Sequence, residues 1–195
     1  MSATDRQRWD EKYGAKPVPD KIAPDAWLVE QVSGLEPGRA LELACGLGHN
    51  SIWLAKQGWH VDAVDISAVG LAHAQKLAQA CGARVNWIAV DLDEFPSVAE
   101  AYDLVLVFRF LDRVRLPPLV RHALRPQGRL IYETFTAAHI NRPDSHMKNP
   151  AFALEPGELP RLFPQFDVAS YAECELADRD VARLVALKPH SPVPV

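Results

Sequence analysis

From residue 39 onward, short apolar runs alternate with amphipathic stretches. The run RALELA (39–44) stops at a glycine-bearing turn and gives way to NSIWLAKQG (50–58), which predicts a helix. HVDAVD (60–65) predicts a second strand. SAVGLAHAQKLAQACG (67–82) predicts a helix capped by Ser67, with Gly82 just past its end. Its apolar face is read as Val69, Ala72, Leu77, Ala80 and Cys81. RVNWIAVD (84–91) and YDLVLVFRF (102–110) follow as strands, the latter apolar nearly throughout, as befits a strand covered on both faces. Leu116, Leu119, Val120, Ala123 and Leu124 fall at i, i+3, i+4, i+7 and i+8, a helix whose first turn accommodates Pro117 and Pro118.

GRLIYETF (128–135) predicts a fifth strand. A short helix around GELPRLF precedes two more strands, 166–175 and 181–189, whose tight connection LADRD makes them antiparallel. Repeated βα units closed by such a hairpin define an α/β fold with a doubly wound sheet and right-handed crossovers. No internal repeat or interdomain linker interrupts it.

Composition agrees with one ordinary globular domain: 195 residues, 48% hydrophobic and 24% charged. The net charge of −4 does not favour nucleic acid or acidic membranes as partners. Three scattered cysteines, Cys45, Cys81 and Cys174, signal neither a disulfide framework nor a zinc cluster. The polar N-terminus and the lack of any run near ~20 apolar residues point to a cytoplasmic protein with no membrane span.

In a doubly wound sheet, ligands bind beyond the carboxyl ends of the strands, beside the first βα turn. Here that turn is ALELACGLGHNS, where Gly46 and Gly48 permit positive φ and close backbone approach. Asp65 ends the second strand 17 residues after Gly48, where nucleoside-binding folds place an acceptor for ribose hydroxyls. Asp91 ends the third. Glu42 lies within the first strand, so its carboxylate needs a partner, which a cationic or amine-bearing ligand would supply. Helix capping is the simpler role for Asp65 and Asp91. A dinucleotide site is disfavoured, because Ser51 stands where the third glycine of G-x-G-x-x-G belongs and Glu42 would repel a diphosphate.

Together these segments resemble the class I methyltransferases that use S-adenosylmethionine (SAM). ELACGLGHN resembles their first motif, an acid followed by x-G-x-G-x-G, with Ala44 in place of the first glycine. VDAVDIS resembles the ribose motif, AVDLDEF the adenine motif, and YDLVLVFRFLDR the strand beneath the methionine end. The resemblance covers about residues 38–135. It implies a seven-stranded Rossmann-like sheet and SAM as cofactor, with Asp65 and Ile66 at the ribose and Asp91 with Leu92 at the adenine. Glu42, Ala44, Gly46, Gly48 and Asn50 would line the methionine side, with the backbone at Phe108 near its amino group. RWDEKYG, ETF and NPAFALEPGEL (149–159) further resemble the tellurite-resistance-type branch, which does not fix a substrate.

The implied organisation is an N-terminal helical cap or lid over 1–35, a methyltransferase domain over 36–189 and a flexible tail over 190–195. Trp9 and Tyr13, at i and i+4, serve either as a docking face or as an aromatic cap over the cofactor. FRFL in the fourth strand departs from the D/N-P-P-Y pattern of enzymes that methylate exocyclic base nitrogens. Arg109, Arg113, Arg115, Arg121, Arg125 and Arg129 make a basic stretch that reads as a solvated face, with RNA as its alternative use. Residues 136–154 lack periodicity and read as a lid. His139, Arg142, His146 and Lys148 on it, with Arg109 and Arg113, would meet an anionic or soft small-molecule acceptor, a chalcogen oxyanion or a thiol. An RNA or protein methyltransferase is the next reading and a dehydrogenase-like nucleotide binder the third. No metal site is expected, no catalytic base is identified, and a monomer or homodimer is expected.

Overall fold

The computed structural model describes residues 3–15, 17 and 19–190; the tail beyond His190, expected to be flexible, lies outside the described residues. The chain divides into two compact units, Met1–Pro96 and Ser97–Val195. The first contains α1 (Ala3–Gly14), α2 (Ala26–Val32), β1 (Arg39–Leu43), α3 (His49–Lys56), β2 (His60–Asp65), α4 (Ala68–Ala80) and β3 (Asn86–Ala89). The second contains β4 (Tyr102–Phe108), α5 (Leu116–Ala123), β5 (Leu124–Phe135), α6 (Ala137–Ile140), α7 (Glu158–Arg161), β6 (Asp167–Glu175) and β7 (Asp180–Leu187). The strands form one seven-stranded sheet in the order β3-β2-β1-β4-β5-β7-β6, the mixed α/β arrangement expected from the sequence.

In the first unit β1, β2 and β3 are parallel, with Glu42 opposite Ala63 and Asp65 opposite Ala89. Leu41, Leu43, Ile52, Leu54, Ala63 and Val64 are fully buried. Ser67 caps α4 as predicted, its hydroxyl accepting the Gly70 N–H at 3.0 Å. The buried stripe of α4 is Gly70, Leu71, Ala74, Leu77 and Ala78, whereas Ala72 and Ala80 are exposed. Alanine is apolar on every face of this helix, so composition left the stripe's direction open, and burial selects Leu71, Ala74 and Ala78, at i, i+3 and i+7.

In the second unit β4 and β5 are parallel and the β5–β7–β6 strands antiparallel. Leu104–Val107 are fully buried, as a doubly covered strand requires. β5 starts at Leu124 rather than at 128, with a register shift opposite Tyr102–Leu104. The segment 136–154 is more ordered than its lack of periodicity suggests. It holds α6, a 3₁₀ turn at Pro150–Phe152, and a bridge pairing Thr136 with Leu154. Its ends are stitched by Ala137 N–H to Leu154 O at 2.8 Å and Leu154 N–H to Phe135 O at 2.9 Å. Helical turns of three or four residues are too short to leave a periodic pattern.

Candidate functional site

The turn after β1 is built from left-handed residues: Ala44 (φ 55°), Gly46 (φ 57°) and Gly48 (φ 65°). A Cβ at Gly48 would lie 2.4 Å from Cη2 of Trp87, and one at Gly46 would lie 2.6 Å from the Tyr13 hydroxyl. Both glycines are thus required by conformation and by space. Ala44 adopts the same backbone region with a side chain, at a cost on the order of 1 kcal/mol that the surrounding turn must overcome. The turn is closed by Cys45 N–H to Val64 O and Gly48 N–H to Cys45 O.

Glu42 is buried, and its partners come from α3 rather than from a ligand. Asn50 Nδ2 donates to Oε1 at 3.0 Å, while the Ser51 N–H, at 3.0 Å, and the Ser51 hydroxyl donate to Oε2. Asn50 Oδ1 in turn accepts the Asp25 N–H at 2.9 Å, and Asp25 caps α2 through Trp27 N–H. The partner that a buried carboxylate at this position needs is thus supplied within the chain, by Asn50 and Ser51. Burial pushes its pKa up to about 7, against the lowering pull of the Ser51 and Asn50 donors.

Asp65 lies at the end of β2, 7% exposed, with Gly46 N–H donating to Oδ2 at 2.7 Å and Ser67 N–H to Oδ1 at 2.9 Å. Burial raises its pKa, opposed by those amide donors, and Asp10 raises it further. Asp10 itself, on α1, accepts the Ser67 hydroxyl at 2.5 Å and the Val69 N–H at 3.2 Å, a second cap on α4. Sequence reasoning passed over Asp10; its only signal was its place between Trp9 and Tyr13 in RWDEKYG. Tyr13 stacks on Trp9 (5.7 Å between centroids) and packs against Gly46 and Gly70. Its phenol is shifted upward, first by burial and then by Asp65 and Cys45. Ile66, Asp91 and Leu92 are buried, and Asp91 Oδ1 accepts the Asp93 N–H at 3.0 Å.

In the second unit Phe108 is buried at the end of β4, and Arg109 follows it, exposed and left-handed (φ 57°), its N–H bonded to Glu133 O at 2.8 Å. Arg113 is committed internally: it binds both oxygens of Glu158 and donates to Ala151 O and Ala153 O, each at 2.8 Å. Arg142 is likewise engaged, with Asp144, Asp180, Leu176 O and Ala177 O. His139 is buried, stacked on Phe135, with Nδ1 facing the Asp180 N–H. Only His146 and Lys148 of the predicted lid cations are exposed. Within the basic stretch, Arg115 and Arg125 pair with Asp112 and Asp103. Glu133, fully buried between Arg179 and Arg183, was not anticipated; ETF gave the acid, but its partners lie 46 and 50 residues away.

Residues 40–128 match the family described as the methyltransferase domain. Among curated proteins, the chain is 33% identical over 106 residues to an uncharacterized protein of Mycobacterium tuberculosis, covering 54% of this chain and 39% of that protein. It is 25% identical over 144 residues to the ubiquinone biosynthesis O-methyltransferase of Pasteurella multocida, covering 65% of this chain and 58% of the relative. The chain thus spans between about two fifths and three fifths of these relatives. Among solved structures, TehB from Haemophilus influenzae shares the fold at TM-score 0.69 and 19% identity, covering 92% of this chain and 67% of TehB. The N-methyltransferase NodS from Bradyrhizobium japonicum does so at 0.66 and 19%, covering 97% of this chain and all of NodS. The chain thus shares the fold of these solved structures. Among the described residues, no helix is long and apolar enough to cross a membrane.

Proposed function

We propose that the protein transfers the methyl group of SAM to a small-molecule acceptor whose nucleophilic atom is soft or anionic. The observation that carries the reading is Asp65: a buried carboxylate at a strand end, fixed by the Gly46 and Ser67 amides, with lone pairs left for the two hydroxyls of a ribose. The left-handed turn at Gly46 and Gly48 fits a ligand that must approach the backbone closely. Glu42 acts from beneath, holding Asn50 and Ser51 so that the first turn of α3 keeps its place. Asp91 and Leu92 suit the adenine end.

SAM, when bound, supplies an electrophilic sulfonium methyl, so the protein's work is positioning and exclusion of water. A thiolate or oxyanion acceptor needs no base. Arg109 is the cation best suited to such an acceptor, being exposed at a strained residue just past β4. Arg113 and Arg142 support the segment around α6 and α7 instead. The relatives named ubiquinone biosynthesis O-methyltransferase support a small-molecule acceptor.

The test is transfer of labelled methyl from SAM to tellurite, selenite, small thiols and total RNA, at low and moderate salt. Labelling of a small acceptor, lowered about tenfold by Arg109→Ala, is expected. Labelling of RNA alone, falling steeply with salt, would replace the small-molecule reading.

A further inference from the structure

The helix α1 lies against the groups proposed to hold the cofactor, yet it buries little of itself. From Thr4 to Gly14 every residue is exposed or half-buried, and none enters the core. It packs chiefly on α4. Asp10 takes the Ser67 hydroxyl at 2.5 Å and the Val69 N–H at 3.2 Å, both at the N-terminus of that helix. Tyr13 lays its ring on Gly70, where a Cβ would lie 2.8 Å from Cδ2. A helix with so little apolar burial is held by a few replaceable contacts, and such elements open before the core does.

What α1 covers is the glycine turn beside Asp65. The bare side of Gly46 is filled by the Tyr13 hydroxyl, so the close backbone approach that this glycine permits is already taken by the chain itself. Asp65 and Ile66 are buried as well. Ser67 joins the two parts, with its hydroxyl given to Asp10 and its N–H to Asp65. The connection from α1 to α2, residues 15–25, enters no helix or strand where it is described. Its far end is fixed, with Ala23 N–H on His49 Nδ1 at 3.3 Å and Asp25 N–H on Asn50 Oδ1 at 2.9 Å. A swing of α1 therefore leaves α2 and α3 in place.

We propose that α1 is a gate on the cofactor site, latched to α4 by Asp10 and closed over Gly46 by Tyr13, which swings out to admit the cofactor and shuts behind it. The proposal rests on the reading of Asp65 and the glycine turn as the SAM site. A latch that is made in both the empty and the loaded protein slows entry and exit alike and leaves affinity nearly untouched.

The experiment measures association and dissociation of S-adenosylhomocysteine on the full chain by surface plasmon resonance. Asp10→Ala should speed both rates about fivefold or more while Kd stays within about twofold. A second variant locks the gate: a Cβ at Gly14 would lie 4.0 Å from Cγ1 of Val69, so Gly14→Cys with Val69→Cys brings two thiols within disulfide reach. Oxidised while empty, with the cross-link confirmed by mass, it should take up S-adenosylhomocysteine about tenfold more slowly or worse. Oxidised after loading, it should retain the ligand through dialysis, and reduction should reverse both effects. Unaltered rates in Asp10→Ala, a change in dissociation alone, or a cross-linked protein that exchanges ligand as fast as the reduced one would overturn the gate. Absence of S-adenosylhomocysteine binding in equilibrium titration of the unmodified chain would instead overturn the cofactor reading, and the gate with it.

Discussion

Glu42 and Asp65 are both buried carboxylates of the first unit, yet their neighbours give them different tasks. Glu42 has its donors supplied by Asn50 and Ser51 and serves the scaffold. Its pKa stands at about 7 in the fold against 4.5 for the ordinary group. A raised carboxyl pKa means that the fold takes up a proton, so the stability this confers is complete below about pH 4.5 and is lost as pH rises through about 7. Urea denaturation should show stability falling by up to about 3 kcal/mol across that window, and Glu42→Gln should remove this slope. Parallel pH profiles for the two proteins would show that Glu42 titrates normally. Asp65 faces the proposed ribose, and Asp65→Asn should weaken S-adenosylhomocysteine at least tenfold, about 1.4 kcal/mol, in calorimetric titration. Unchanged affinity would remove Asp65 from the site.

Among the elements, α1 and the glycine turn hold each other. Asp10 caps α4, and Asp10→Ala should cost about 1 kcal/mol in thermal or urea unfolding. Gly48→Ala must both strain a left-handed residue and displace Trp87, so a loss of roughly 2–4 kcal/mol is expected. Cofactor should slow hydrogen exchange over α1, with Tyr13 lying against Gly46; equal exchange with and without ligand would make α1 plain scaffold. Arg113→Ala and Arg142→Ala should lower the melting temperature while leaving turnover per folded molecule unaltered, since both side chains are spent on internal partners. What the sequence disclosed at this scale was local. Ser67 and Asp65 could be read because a strand end followed by a cap is written in adjacent residues, and the succession of strands and helices along the chain followed from their periodicity. The Arg113–Glu158 pair spans 45 residues and the Tyr13–Gly46 contact 33, distances over which one sequence carries no pairing signal. The misdirected face of α4 has another cause: its many alanines satisfy two stripes equally until a sheet selects one.

For the molecule as a whole, both the excess of acid and the pairing of its arginines argue for a small ligand. Arg113, Arg115 and Arg125 each carry an acidic partner, so the basic stretch visible in the sequence projects less positive charge than a count suggests. The central claim is that the turn and acids at the ends of β1, β2 and β3 form a SAM site rather than a dinucleotide site. Isothermal titration of the full chain with SAM and, separately, with NAD tests it most directly. The account predicts one-to-one binding of SAM at micromolar concentration, weakened by Asp65→Asn, and negligible heat with NAD. NAD binding as tight as SAM, or no SAM binding at millimolar concentration, would contradict it.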